Sequence, residues 1–240
     1  MFNYGLGYGY GGFGFYGMDP LYLALIVLTV VLGVATQSYI KRTYNKWSRV
    51  VTTGESGASV ARRMLDAHNC TEVGISSVAG NLTDHFDPRT NKLYLSEDNL
   101  HGGSVASVAV ACHEAGHAAQ AAAAYLPMKL RSALVPVVNV SQNVWFYVLL
   151  AGIWMNLAGL TQLAIALFAF SVAFHVVTLP VEIDASRRAV AYIEASGMGD
   201  VQVRGAKQVL TAAALTYVAA ALTSILQLLY LLARTQRSRD

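Results

Sequence analysis

Residues 104–125 read SVASVAVACHEAGHAAQAAAAY, and this stretch decides which other parts of the chain must come together. Alanine and valine dominate it, and a run so rich in alanine predicts a helix. His113 and His117 are four positions apart, so in a helix their imidazoles lie one turn apart on the same face. Both can then bind one metal ion with Glu114 beside them, in the HExxH pattern typical of zinc sites that activate water. The stretch therefore predicts a zinc-binding helix.

Two histidines are not enough, because a catalytic zinc site usually has three protein ligands and one position for water. A site of the metzincin type would need a third histidine at position 123, which is alanine, so that type is excluded. A site of the intramembrane site-2 type would need an aspartate in a later apolar segment, but residues 132–181 contain no carboxylate. A carboxylate on a later helix remains, as in gluzincins. The candidates are Glu182, Asp184 and Glu194.

Glu182 is the favoured third ligand. It follows Leu179-Pro180-Val181, where proline is expected to open a helix as the chain leaves the membrane beside the site. Asp184 is two residues further, about 200° around a helix from Glu182, so it is expected to support the site and not to bind the same ion. Glu194 comes late on an amphipathic stretch and is expected to face solvent.

Charged residues are few and unevenly placed along the 240-residue chain. They make up 13% of it, against roughly 25% in soluble domains, and 55% of the chain is apolar. Three stretches, 20–40, 132–181 and 208–233, contain no Asp, Glu, Lys or Arg. Because about 20 apolar residues cross a bilayer as a helix, the first and third each fit one span and the second fits two. The sequence predicts an integral membrane protein, and its net charge of +3 argues against a nucleic-acid partner.

The predicted fold is mainly α, with about four transmembrane helices and a small zincin-like α+β domain that carries the HExxH helix. The predicted organisation is a Gly/Tyr-rich tail (1–19), a first transmembrane helix (20–40), a catalytic region with HExxH (41–131), a transmembrane hairpin (132–180), a helix with the third ligand (181–208), an apolar helix that spans or packs (209–233) and a tail (234–240).

The region 41–131 holds ten of the 17 basic and eight of the 14 acidic residues, so it is expected to face water. Residues 57–69 predict an amphipathic helix. Valine and isoleucine at 73–78, a turn at 87–91 and Leu93-Tyr94-Leu95 predict a small hairpin before the HExxH helix. The strand 93–95 is expected to bind an extended substrate along its edge.

Basic residues after the first span predict the side of the membrane. Lys41, Arg42, Lys46 and Arg49 favour the cytoplasmic side for the catalytic region, in what we expect to be a bacterial plasma membrane. Four crossings then bring the C-terminal arginines to the outer side, against the positive-inside rule. The alternative is that one apolar segment, 209–233 or the hairpin near 139–143, does not cross.

Several blocks in chain order resemble the YugP-like bacterial membrane neutral zinc metallopeptidases. They are NLTDHFDPR (81–89), LSE (95–97), HGGS (101–104), the HEAGH helix, LRSALVP (130–136) and LPVEIDASRRA (179–189). The resemblance covers nearly everything from Lys41 to about Ala233. More distantly, the chain is similar to HtpX and CAAX-prenyl-protease-like gluzincins, whose pattern reads Glu-x-x-Ala-Asp. Glu182 and Ala185 match that pattern, whereas Ser186 stands in place of the aspartate.

The resemblance implies a zinc-dependent membrane peptidase with one Zn²⁺ per chain, bound by His113, His117 and Glu182. Glu114 is then the general base that takes a proton from the attacking water. Several polar residues near these blocks could donate a hydrogen bond to the oxyanion, and the sequence does not choose among them. The candidates are His85, Tyr192, Arg187 and Arg188, with Asp184 and His175 as supporting residues around the metal.

Two other classes of function fit parts of the pattern. A zinc-binding membrane scaffold or assembly factor would need the metal ligands but no general base at Glu114. A metal transporter would need further ligands inside the spans, where His175 is almost alone. The expected partners are therefore a protein or peptide substrate and the lipid bilayer, and the sequence does not determine the oligomeric state.

Overall fold

The structure is a computed structural model that describes residues 19–52 and 54–237. The predicted Gly/Tyr-rich tail lies outside the described residues except for Asp19, as do the last three residues of the predicted C-terminal tail. The fold is mainly helical. Its elements in chain order are α1 (Pro20–Trp47), α2 (Gly57–Ala67), β1 (Gly74–Val78), β2 (His85–Asp87), β3 (Lys92–Ser96), α3 (Glu97–His101), α4 (Val105–Ala122), α5 (Leu126–Trp154), α6 (Ala158–Ala195) and α7 (Asp200–Arg237).

Four helices, α1, α5, α6 and α7, are long and apolar enough to cross a membrane. This agrees with the predicted fold class of a mainly α membrane protein with a small sheet. α1 begins where predicted, because Asp19 accepts a hydrogen bond from the backbone of Leu21 (2.9 Å) and Pro20 occupies the first turn. All four are 28 residues or longer and so extend beyond the roughly 20 residues that a bilayer needs.

The beginning of α1 and the end of α7 are joined. The carboxylate of Asp19 accepts hydrogen bonds from the hydroxyl of Tyr230 (3.0 Å) and from the guanidinium of Arg234 (3.0 Å). The rings of Tyr22 and Tyr230 stack with centroids 5.2 Å apart. The two ends therefore lie at one side of the helix bundle, where Asp19 pairs with the charge of Arg234. Because this charge is paired, four crossings that bring Arg234 to the outer side conflict less with the positive-inside rule.

The other end of α1 is fixed to α7 by Trp47. Its indole N–H donates to Gln208 (3.0 Å), and its ring lies so close to Gly205 that an added Cβ would come within 2.5 Å. The helix therefore continues past the predicted end of the span at residue 40, because Trp47 gains a buried position against α7.

The water-facing domain packs α2 and a three-stranded sheet against α4. Its core contains fully buried side chains from all of these elements, among them Met64, Leu65, Leu93, Leu95 and Val108. The predicted helix 57–69 is confirmed as α2. α4 also packs against α6 and α7, so it lies between the sheet side and the membrane helices.

The sheet has the order β1-β3-β2, with β1 parallel and β2 antiparallel to β3. The predicted hairpin of 73–78 with 93–95 is wrong, because β1 runs parallel to β3. The hairpin is formed instead by β2 and β3, and its turn ends at Asn91 with a left-handed backbone (φ 52°) that asparagine tolerates. The prediction that strand 93–95 offers a free edge is wrong, because β3 is the central strand. The two strands beside it, β1 and β2, form the edges of the sheet, and β2 is the edge strand nearest to the HExxH helix.

α6 runs without interruption through Pro180, so the expectation that proline opens a new helix there is wrong. The ring removes one backbone hydrogen bond, a loss of roughly 3 kcal/mol in a helix interior. Packing on both sides offsets it, since Thr178, Val181 and Glu182 are buried. The predicted helix 181–208 is instead divided between α6 and α7 by a turn at Gly197, where φ is +76°.

We expect both chain ends to lie on the same side of the membrane, opposite to the β2–β3 turn. Tags fused before Met1 and after Asp240 should be cut together by protease added to one side of sealed vesicles. A tag inserted into the turn at 88–91 serves as the control and should be cut only from the other side. Tags that are cut from opposite sides would mean that one of the four helices does not cross.

Candidate metal centre

α4 presents the HExxH residues from the middle of the domain. The helix begins after Ser104, whose hydroxyl accepts a hydrogen bond from the backbone of Ser107 (3.0 Å). Nearly all of its residues are buried, and His117 and Glu114 are only 6% and 8% exposed. Burying an ionisable group costs free energy unless another group pairs with it. The partners of these side chains therefore indicate the function of the site.

The side chains of His113, His117 and Glu182 meet at one point. One carboxylate oxygen of Glu182, Oε2, lies 3.2 Å from Nε2 of His113 and 3.6 Å from Nε2 of His117. One ligand atom of each residue lies within 4.8 Å of the others. Ligands about 2.0–2.2 Å from a tetrahedral zinc ion are about 3.3–3.6 Å apart, so these three residues fit zinc. Within the described ranges no other group of three His, Cys, Asp or Glu side chains converges in this way.

Gln120 determines which nitrogen of His117 faces the cluster. Its amide N–H groups donate to the carbonyl of Val181 (2.7 Å) and to Asp184 (2.9 Å). Its amide oxygen must therefore accept a hydrogen bond from Nδ1 of His117, 3.0 Å away. Nδ1 carries the proton, and the lone pair of Nε2 is left for a metal.

Ser186 plays the corresponding part for His113. Its hydroxyl lies 3.1 Å from Nδ1 of His113, and Nε2 of the same ring faces Glu182. Ser186 is the position at which the Glu-x-x-Ala-Asp pattern has an aspartate. A neutral oxygen holds the ring in orientation without adding a second negative charge behind it.

Glu114 does not contact the histidines through a hydrogen bond but is held from the sheet side. The backbone N–H of Phe86 in β2 donates to its Oε2 (3.0 Å). Since the antiparallel register pairs the other edge of β2 with β3, this N–H points from the free edge of the strand toward the centre. The candidate site therefore lies between this edge and α6.

The cluster favours positive charge. Burial by itself opposes protonation of His117, but the hydrogen bond with Glu182 and the negative charge of Glu114 outweigh burial, and the pKa of His117 is raised. A site that attracts a proton in this way also attracts a cation between the same atoms, and metal binding displaces that proton.

The predicted supporting residues have different outcomes. Asp184 contacts Gln120 and accepts a hydrogen bond from Arg188 (2.7 Å), so it lies behind the cluster, where it was expected. His175 lies outside the cluster, seven residues or about 10 Å before Glu182 along α6. Glu194 is exposed and pairs with Lys207 (2.6 Å), as expected for a solvent-facing residue.

The structure does not bring the predicted oxyanion donors to the cluster. The ring of His85 stacks on Tyr94 (centroids 5.0 Å apart), on the sheet face opposite to the buried Leu93. Tyr192 packs on the domain core ten residues, about 15 Å, beyond Glu182, and Arg187 is exposed to solvent. Arg188 is engaged by Asp184.

Three residues at the centre were missed by the sequence reasoning. Gln120 follows His117 by three positions, a spacing that indicates a neighbour on the same helix face. Arg131 lies 3.3 Å from Oε1 of Glu182, and it is the last charged residue before a long uncharged stretch. Tyr217, on α7, is half-buried and has an electrostatic interaction with Glu182. Nothing in the sequence singles out Tyr217 from the other polar residues of its apolar segment.

The fold and the centre together define a membrane-associated metallopeptidase class, with an HExxH helix, a glutamate on a later helix and four apolar helices. A sequence model described as "Putative neutral zinc metallopeptidase" matches residues 22–236, and the chain belongs to this family. A similar protein is the "Putative membrane protease YugP" of Bacillus subtilis (strain 168), 39% identical over 211 residues, which cover 87% of this chain and 94% of the relative. No solved structure shows significant similarity to the chain. The resemblance stated from the sequence is thereby confirmed.

Gly116 allows α4 and α6 to approach closely between the two histidines. A Cβ added at Gly116 would lie 2.7 Å from the carbonyl oxygen of Ala185 and 3.2 Å from its carbonyl carbon. Backbone atoms cannot turn away as a flexible side chain can. Only glycine therefore lets the helix with the histidines reach the helix with Glu182.

We expect Gly116→Ala to push α4 away from α6 and to weaken zinc binding at least tenfold, with a loss of about 1–3 kcal/mol of stability from overpacking. Competition with a chelator and thermal unfolding measure the two effects. Gly33→Ala is the matched control, because a Cβ at Gly33 meets nothing within 4 Å. Equal zinc affinity of Gly116→Ala and the wild type would contradict this account of the helix contact.

We expect Gln120→Met to weaken zinc binding about 10–100-fold, because His117 then loses the acceptor that fixes its tautomer. Titration of the metal-free protein with zinc against a chelator gives the affinity. Gln142→Met, on the exposed side of α5, should leave it unchanged. An unaltered affinity in a folded Gln120→Met protein would show that Gln120 does not orient the ring.

Proposed function

We propose that this protein is a membrane-bound zinc metalloendopeptidase of the gluzincin type that hydrolyses peptide bonds of membrane or membrane-adjacent proteins. One zinc ion per chain would be held by His113, His117 and Glu182, with Glu114 as general base. The observation that carries the proposal is the convergence of two Nε2 atoms and one carboxylate oxygen beside a second carboxylate, Glu114, which is held separately. Family membership and the similarity to a membrane protease support it.

Each residue has a defined part in this proposal. A bound zinc ion would supply Lewis-acid chemistry, polarising a carbonyl and lowering the pKa of water to about 7. Glu114 takes the proton of the attacking water and delivers it to the leaving amine, a contribution of about 10²–10⁴-fold. The N–H of Phe86 holds one oxygen of Glu114, so the carboxylate is oriented before substrate binds. Gln120 and Ser186 keep both imidazoles turned toward the centre.

The edge of β2 is the part of the sheet suited to hold a peptide. It is the free edge nearest to Glu114, and an extended segment can add to it through main-chain hydrogen bonds. Such pairing depends on the main chain of the substrate more than on its side chains. It therefore favours unfolded or extended segments of many different sequences. We therefore propose that β2, and not the strand 93–95 predicted from the sequence, binds an extended substrate along its edge.

The position of the centre favours substrates at the membrane surface. Glu182 and Arg131 lie on membrane helices at the two limits of the uncharged stretch 132–181, so the centre is next to the apolar layer. The basic residues that follow the first apolar stretch support a cytoplasmic location for this side, by the positive-inside rule.

Glu114 distinguishes an enzyme from a zinc-binding scaffold. A scaffold needs the three ligands, but it gains nothing from a second buried carboxylate, which is costly to bury. A transporter would need further ligands along its spans, and the described spans contain no second cluster. Both observations favour peptide hydrolysis.

We expect the detergent-purified Glu114→Gln protein to retain zinc and to lose cleavage of casein or of a membrane-protein substrate by about 10²–10⁴-fold. Elemental analysis and a cleavage assay measure the two quantities. Glu194→Gln, which alters an exposed carboxylate paired with Lys207, is the control and should cleave like the wild type. Zinc in both proteins with no cleavage by the wild type would favour the scaffold, and zinc in neither would refute the site.

A further inference from the structure

Two sequence blocks that contribute no metal ligand meet beside the strand that holds Glu114. The first contains Asp84, directly before β2, and the second contains Ser96, at the end of β3. The carboxylate of Asp84 accepts hydrogen bonds from the backbone N–H of Ser96 (2.7 Å) and from its hydroxyl (3.1 Å). The side chain of Asp84 thus continues the pairing of β2 with β3 beyond His85, where the backbone pairing ends.

The second oxygen of Asp84 is bound to the interior of the domain. Oδ2 accepts a hydrogen bond from the side-chain amide of Asn99 (2.8 Å), a fully buried residue of α3. The amide oxygen of Asn99 accepts a hydrogen bond from the hydroxyl of Tyr44 (2.7 Å) on α1. Because a carboxylate only accepts, the N–H of the amide must face Asp84 and its oxygen must face the hydroxyl. A continuous chain of hydrogen bonds therefore connects α1 to the residue before β2.

β2 needs such an attachment, because it is too short to fix its own position. Only three of its residues pair with β3, and a two-stranded hairpin by itself is marginally stable. At the turn, Asp87 pairs with Arg89 of the same hairpin, and such an exposed arginine contributes little. Asp84 instead forms charge-assisted hydrogen bonds with buried groups of β3 and α3, which are the stronger kind. Asp84 therefore joins the strand to the rest of the domain.

The position of β2 determines the orientation of Glu114. The N–H of Phe86, two residues after Asp84, donates to Oε2 of Glu114 (3.0 Å). Two residues of extended chain cover about 7 Å, so a displacement of Asp84 also moves this N–H. A displacement of about 1 Å at a reacting group can lower the rate about 10²-fold. The contacts of Asp84 therefore bear on proton transfer.

We propose that Asp84 and Asn99 are positioning residues that hold β2, and through the N–H of Phe86 the carboxylate of Glu114, in the geometry needed for proton transfer. Tyr44 fixes the amide of Asn99 and extends this support to α1. Asp84 and Asn99 are not members of the ligand cluster, so zinc should still bind when they are changed. The inference rests on the proposed peptidase function.

The decisive test exchanges the two partners. Asp84→Asn places an amide against the N–H of Asn99, and Asn99→Asp places two carboxylates side by side, so each single variant has a mismatched pair. We expect kcat for a peptide to fall about 10–100-fold in each, with zinc content unchanged. The double variant Asp84→Asn/Asn99→Asp again pairs one amide with one carboxylate, and its kcat should return to within about fivefold of the wild type.

Glu97→Gln is the matched control for these variants. Glu97 is an exposed carboxylate of α3, two residues before Asn99, and it lies 3.4 Å from His101 of the same helix. The substitution removes a negative charge from the same helix but leaves the contact with Asp84 in place. We expect this variant to cleave like the wild type.

A second background shows whether the effect passes through Glu114. The general base is already absent in Glu114→Gln, so adding Asp84→Asn should lower the residual kcat by less than about threefold. Any change in KM should be equal in the two backgrounds, because β2 is also the proposed edge for the substrate. The loss of kcat should therefore appear only when Glu114 is present.

Hydrogen exchange gives a readout without turnover. The amide of Phe86 donates to Glu114 in the wild type, so exchange of the segment 85–87 should become at least tenfold faster in Asp84→Asn. It should return toward the wild-type rate in the double variant. Exchange of α2 in Asp84→Asn should remain at the wild-type rate, as expected for a domain that stays folded.

Four results would overturn the inference with the peptidase function intact. One is an active wild type with Asp84→Asn within about threefold in kcat, and another is an equal loss of kcat in the Glu114→Gln background. A third is a double variant that does not recover. The fourth is a loss of activity together with loss of zinc or faster exchange of α2, which would assign Asp84 a general structural role. A wild type that contains zinc but cleaves no peptide would refute the peptidase function itself, and the inference with it.

Discussion

The contact of α4 with α6 at Gly116 is the constraint on which the centre depends. The histidines and Glu182 are separated by more than 60 residues, including two apolar helices, and their ligand atoms still lie 3.2 and 3.6 Å apart. That spacing exists because the backbone of Ala185 fits against a residue without a side chain. Gln120 and Ser186 then bridge the same two helices with hydrogen bonds, so packing sets the distance and polar contacts set the orientation.

The membrane helices are part of the centre and not only its anchor. α5 contributes Arg131, α6 contributes Glu182, and α7 packs against both α4 and α6, while the sheet side contributes the N–H that holds Glu114. Side chains on long helices that are fixed at both ends, as α7 is by Asp19 and by Trp47, are positioned more precisely than side chains on loops. The sequence divides into a catalytic region and transmembrane segments by composition. The site does not follow that division, because residues of both parts form it.

The sequence predicted most reliably what depends on local spacing. The helix with His113 and His117 could be predicted from the spacing of four residues between the two histidines. The four apolar helices could be predicted from uncharged stretches that are long enough to cross a bilayer. Glu182, the predicted third ligand, lies beside both histidines in the structure. The reason offered from Pro180 was wrong, because buried neighbours keep α6 intact. The order of the strands and the position of Tyr217 could not be read, since both follow from how distant segments pack. A three-residue strand such as β2 has too short a pattern to show that it forms the edge.

The continuity of α6 has a consequence for how the lipid environment acts on this protein. One uninterrupted helix of 38 residues contains both the apolar span and Glu182, with no loop between them that could absorb a change of angle. When a bilayer is thicker or thinner than the apolar length of a helix, the helix adjusts by tilting, at a cost of fractions of a kcal/mol per Å of mismatch. A tilt of α6 is transmitted directly to the carboxylate opposite α4. Membrane thickness thereby becomes a variable of the distance between Glu182 and the two histidines.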